Sequence, residues 1–158
     1  MTQMEIIQIL AGFIGSAGFA VLFNIRGKRL AAAATGGLLS WLLFVILGPY
    51  TASEPIRYFI VALVISAYAE IMARLLKSPT TTFITTSLIP LIPGGSLYYT
   101  MVHIFQGNME TFLQKAIYTL QLTAALALGI IVSTAFAKIF YGGIRHIQKP
   151  HPQNRGKS

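Results

Sequence analysis

The chain has 158 residues, of which 54% are hydrophobic and only 10% charged, against about 25% charged in soluble domains. The apolar residues come in runs of about 20, the length that crosses ~30 Å of hydrocarbon at 1.5 Å per residue, which excludes a compact soluble domain. Cysteine is absent, which excludes disulfides and thiolate chemistry, and the net charge of +8 does not imply nucleic acid, because the basic residues lie between and after the apolar runs.

The first run, residues 4–23, has no Lys or Arg ahead of it and carries Glu5. It lacks the basic n-region of a cleaved leader and reads as a retained span. Gly12, Gly15, Ser16 and Gly18 give it a small-residue face suited to close helix packing. A basic loop from Asn24 to Arg29 leads to a second span at 30–47, and a loop bracketed by Pro49 and Pro55 leads to a third at 56–76. In that third span Glu70 precedes Arg74 by four residues, so the two share a helical face that Ser66 extends. A carboxylate in a membrane often marks a proton or ion pathway. The plainer reading is an interfacial ion pair with Arg74 or Lys77.

The fourth span, residues 80–105, is interrupted by Pro90, Pro93, Gly94 and Gly95. Pro90 should free the carbonyl of Thr86, and Pro93 that of Ile89. Gly94-Gly95 lets the chain turn, and Ser96 is placed to cap the second half. Two half-helices meeting near the bilayer midplane are expected. Such backbone survives in lipid only where protein or water satisfies it, and in transporters it builds solute sites. The start of the second half, at Gly94, Gly95 and Ser96, would attract a carboxylate, and the freed carbonyls an ammonium group or cation. Thr85, Thr86, Tyr98 and Tyr99 line the site in this reading. The bland alternative is a proline kink that only shapes packing.

A long fifth helix follows at 110–141, ended by Gly142-Gly143. It carries a polar stripe, Gln114, Tyr118 and Gln121, and a small-residue stripe, Ala125, Gly129, Ser133 and Ala137. The transmembrane unit thus spans 4–142. Residues 143–158 form a basic, unfolded tail suited to anionic lipid headgroups.

Charge sets the expected topology, because short cytoplasmic loops carry the Lys/Arg excess. Five crossings with the N-terminus outside leave only Arg57 and Lys115 of the twelve basic residues on the outer side. The expected fold is therefore an all-α integral membrane protein with five transmembrane helices, the fourth interrupted at residues 90–95, the N-terminus outside and the C-terminus cytoplasmic. So small a chain rarely encloses a solute pathway alone, so a homo-oligomer or a partner chain is expected. No His/Asp/Glu set has metal-ligand spacing and no P-loop is present. Ser96 and His103 lie seven apart with nothing else to support a nucleophile–base pair. No enzymatic activity, metal or cofactor is expected.

Three segments, Ser78-Pro79 through Phe83, Ile89-Pro90-Leu91-Ile92-Pro93-Gly94, and Tyr98-Tyr99, resemble the hallmark of threonine/serine exporter (ThrE-type) proteins. The closest likeness is to their short, YjjB-like subunit, which corresponds to the C-terminal half of the full exporter. Gly18-Phe19-Ala20-Val21-Leu22-Phe23-Asn24 and Ala69-Glu70-Ile71-Met72-Ala73-Arg74 support it in the expected order. The resemblance implies an inner-membrane exporter of small hydrophilic metabolites, driven by the proton gradient and acting with a larger membrane subunit that resembles the exporter's N-terminal half. Its solutes would be threonine and serine or small dicarboxylates. Glu70, Arg74 and Asn24 are the expected pathway residues. The competing reading is a non-transporting membrane scaffold that stabilises a partner.

Overall fold

The computed structural model describes residues 2–147. Six α-helices follow in order: α1 (Gln3–Leu22), α2 (Lys28–Ile46), α3 (Glu54–Leu75), α4 (Thr80–Leu88), α5 (Gly94–Phe105) and α6 (Met109–Ile147). Short 3₁₀ turns occupy Gly48–Tyr50 and Ile89–Leu91. No strand occurs among the described residues. Helices α1, α2, α3 and the 109–140 stretch of α6 are each long and apolar enough to cross a bilayer, and the bent α4–α5 pair is long and apolar enough only when its two halves are taken together. The chain is an all-α, multi-pass membrane protein.

Local chemistry sets the helix ends. Thr2 caps α1 in a reciprocal capping box: its hydroxyl accepts from the Glu5 amide at 3.4 Å, and the Glu5 carboxylate accepts from the Thr2 amide at 2.7 Å. Helix α3 starts with proline in its first turn, where the missing N–H costs nothing. Asn24 (φ 57°), Lys77 (φ 47°) and Gly107 (φ 72°) end α1, α3 and α5 in the left-handed region. Each is followed by a residue whose amide reaches back five positions: Ile25 to Ala20, Ser78 to Ala73 and Asn108 to His103. These are Schellman closures, which satisfy carbonyls that the helix leaves open.

One expected boundary changes. Helix α6 does not stop at Gly142-Gly143 but runs on to Ile147. Glycine in a helix interior costs only about 1 kcal/mol, and a helix already more than eight turns long carries through it. The boundary drawn between 142 and 143 therefore falls inside a helix. The remainder of the expected tail, 148–158, lies outside the described residues.

Helix α1 packs on α2, α2 on α3 and α4, and α3 on α4 and α6. Helix α5 packs on α6. One apolar cluster, with Ala20, Ile25, Ala69 and Phe83, fills the end of the bundle near Arg74. A second, with Phe44, Tyr58, Ile65, Leu91 and Leu122, fills the end near Arg57. Between them the helices meet through small residues. A Cβ on Gly36 would lie 1.9 Å from the Ser87 hydroxyl, and one on Gly37 would lie 1.9 Å from that of Ser16. On the far side, a Cβ on Gly129 of α6 would lie 2.6 Å from the Phe59 carbonyl of α3. Ala125 and Gly129 of the small stripe on α6 thus form a packing seam. In α1 only half of the expected small-residue face is used. Gly12 and Ser16 are buried against α2, whereas Gly15 and Gly18 have no neighbour that a Cβ would meet.

Candidate functional site

The interruption of the fourth span is built by its two prolines. Pro90 offers no N–H to the Thr86 carbonyl, so α4 stops at Leu88 and the chain tightens into a 3₁₀ turn. Ile92 is extended (φ −61°, ψ 123°), as a residue before proline prefers. Pro93 (φ −74°, ψ 55°) then forms an inverse γ-turn, closed by the Gly94 amide donating to the Ile92 carbonyl at 2.6 Å. The outcome is a 56° bend between the two halves.

Three details differ from the expectation. The Ile89 carbonyl is not free, because it accepts from the Ile92 amide at 3.1 Å; the 3₁₀ turn replaces the partner that Pro93 removes. Ser96 is not the cap: Pro93 occupies that position, and Ser96 sits in the first turn with its carbonyl accepting from the Thr100 hydroxyl at 2.7 Å. Gly94 and Gly95 are not in a glycine-only conformation, and a Cβ on either would meet nothing within 4 Å. The γ-turn makes the bend; the glycines leave its outer surface bare. The Ser96 amide donates to no backbone carbonyl, which leaves one of the orphan donors of a helix start available.

The nine residues expected to form one solute site divide among several surroundings. Thr86 is buried, and its hydroxyl turns back onto its own helix, donating to the Thr82 carbonyl at 2.8 Å. Pro93 is buried as well. Thr85 opens onto a groove of about 290 Å³ with Phe23, Ile25, Thr81 and Thr82. Pro90 borders a different groove, of about 270 Å³, with Gln8, Gly12, Gly15 and Trp41. Both grooves follow the seam between α1 and the broken span. Tyr98 and Tyr99 lie elsewhere, exposed on α5 with their rings edge to face at 5.5 Å.

Glu70 is held as its spacing predicts: its carboxylate lies 3.4 Å from the Arg74 guanidinium. It also borders a groove of about 450 Å³ between α3 and α6, with Ser133, Phe136 and Ala137. Ser66, on the same helix, is buried with its hydroxyl unpartnered. Asn24 has a structural task, ending α1, and its side chain accepts from the Arg26 guanidinium at 3.0 Å. Of the polar stripe on α6, Gln114 and Gln121 are exposed, while the Tyr118 hydroxyl donates to Glu54 and ties α6 to α3. The His103 ring carries a buried Nδ1 with no hydrogen-bond partner.

Sequence reasoning missed Gln8 and Trp41, which share a groove with Pro90. The available signals were weak: a glutamine inside an apolar run and the chain's single tryptophan.

A sequence profile described as Threonine/Serine exporter, ThrE, matches residues 8–136, well over half of the chain. The chain belongs to the threonine/serine exporter (ThrE) family. No curated protein and no solved structure matches it. The matched stretch contains the whole broken span, Asn24, Glu70 and Arg74, so every candidate residue falls within the exporter region. Membership makes the chain an exporter-type transport protein, and transport, not catalysis, is the business of ThrE proteins.

Proposed function

We propose that the chain is one membrane subunit of a secondary exporter of small hydrophilic metabolites, either threonine/serine-type amino acids or small carboxylates. It works with a second, larger membrane subunit and is coupled to the proton gradient. The observation that supports this most is the 56° bend of the fourth span, with Pro90 bordering an open groove. Leu91 and Pro93 are buried at the break, but Pro90 borders an open groove with Gln8 and Trp41, and broken helices border solute sites in transporters. The charge bias orients the bundle with its Arg57 end outside and its Arg74 end in the cytoplasm. Helix α5 packs on α6 and otherwise exposes Tyr98, Tyr99, Met101 and Phe105. That surface fits contact with a second subunit or copy, and it is also what the scaffold reading needs.

Export assays separate the two readings. Cells loaded with threonine or serine peptides should excrete the free amino acid faster when this chain and a larger subunit of the exporter's N-terminal-half type are expressed together than when either is expressed alone. A scaffold predicts that chain variants altered only at the break export normally. Glu70 carries the coupling role, through a carboxylate that Arg74 pairs and the α3–α6 groove borders. Glu70→Gln is expected to flatten the dependence of export rate on external pH with the protein still present in the membrane. A pH profile identical to wild type would remove Glu70 from the pathway.

A further inference from the structure

At the Arg57 end of the bundle a fourth groove, of about 450 Å³, is bordered by Glu5, Gln8, Trp41, Phe44, Gly48, Pro49 and Arg57. It shares Gln8 and Trp41 with the groove that reaches Ile89 and Pro90. Gln8 and Trp41 thus form a common border between a groove at the end of the bundle and one at the break in the fourth span.

Arg57 is held rigidly in this groove. Its Nε donates to the Thr51 hydroxyl at 3.0 Å, one Nη donates to the Gly48 carbonyl at 3.2 Å, and the guanidinium lies 4.9 Å from the centre of the Phe44 ring. A guanidinium carries five N–H donors in one plane, and these two bonds leave an edge unused. The plainest role for Arg57 is to staple the α2–α3 loop. That role accounts for the two bonds but not for the unused edge beside a groove. Trp41 borders the same groove, and its indole N–H is buried behind it without an acceptor. Burying such a group unpaired costs about 1–3 kcal/mol.

We propose that this groove is a second solute site, on the side where the solute leaves, in which the unused edge of Arg57 takes the carboxylate of the solute. Planar, two-point recognition of carboxylates is what a fixed guanidinium does best. Gln8 stands at the junction of the two grooves and can hand the solute from the break to Arg57. The site deepens the exporter reading and rests on it.

The chain contains one tryptophan, which stacks on Phe44 at 5.2 Å between ring centres; Phe44 in turn lies under Arg57. Intrinsic fluorescence therefore reports on the site directly. The full chain in lipid nanodiscs is titrated with threonine, with succinate, and with threoninol, which lacks the carboxylate. A saturable change with threonine or succinate is expected, and whichever binds more tightly identifies the carboxylate it takes. Threoninol should need at least about tenfold more, and Arg57→Gln should weaken the carboxylate response by about tenfold or more. Arg57→Lys, which keeps the charge but loses the planar fork, should restore only part of it. A flat titration of the wild-type chain, or threoninol binding as tightly as threonine, would overturn the proposal even if Arg57→Gln failed to fold. Flat fluorescence together with wild-type export that is lost on altering the break would remove this site and leave the exporter reading standing. A fluorescence response with export indifferent to the break would do the opposite.

Discussion

Replacing Pro90 and Pro93 together with alanine is expected to leave the protein folded, or more stable, while cutting export of threonine or serine at least tenfold. Each proline in a helix interior costs about 3 kcal/mol or more, through the lost N–H and the clash with the preceding turn. Alanine restores both donors, so α4 and α5 can join into one straight helix and the 56° bend relaxes. The γ-turn that holds Gly94 against Ile92 then disappears, and Pro90 no longer borders the groove with Gln8 and Trp41. Thermal melting in detergent and an export assay on the same preparation check the two halves of this expectation. Stability and transport moving in opposite directions is the distinguishing sign, because a bend kept only for packing would lose stability when straightened. Export at the wild-type rate in a stabilised double variant would rule out a transport role for the break.

The second large effect is expected at Gly37. A Cβ there would lie 1.9 Å from the Ser16 hydroxyl oxygen, 2.3 Å from the Ser16 Cβ and 3.0 Å from the Gly12 carbonyl. Helices α1 and α2 cannot keep their separation around such an atom. Overpacking of this kind costs about 1–3 kcal/mol, which lowers the melting temperature by roughly 2–12 °C in a protein of this size. Gly37→Ala should therefore melt earlier, and the double variant Gly37→Ala with Ser16→Gly should recover most of the loss. The rescue is inexpensive because the Ser16 hydroxyl is buried without a hydrogen-bond partner, so its removal gives up no bond. A single variant melting at the wild-type temperature would mean that α1 and α2 are not in close contact at this layer.

Much of this architecture could be read from residue order alone. Runs of about 20 apolar residues fix the spans because the bilayer fixes their length. Proline is legible because its effect is local: Pro90 and Pro93 break the fourth span wherever it packs. What could not be read was what replaces the lost bonds. The 3₁₀ turn that satisfies Ile89, and the γ-turn that makes Pro93 rather than Ser96 the start of α5, depend on backbone angles that composition does not encode. Gly94 and Gly95 were misleading for a related reason, since glycine permits unusual φ without requiring it. Gly36 and Gly37 matter through Ser87 and Ser16 on other helices, and such partners are invisible along a single strand of sequence. The grooves were least legible of all. They join Gln8 on α1, Trp41 on α2 and Pro90 beyond α4, positions brought together only by the fold.

Because the chain has no cysteine of its own, single cysteines placed along residues 85–99 report water access at the break without background. A membrane-impermeant thiol reagent should label cysteine at Thr85 and Pro90, which border the grooves, and should spare Thr86, which is buried. Threonine or serine at saturating concentration should slow labelling at Pro90. Labelling absent from both groove positions, or unaffected by any transported solute, would contradict the claim that the interrupted span lines a solute pathway.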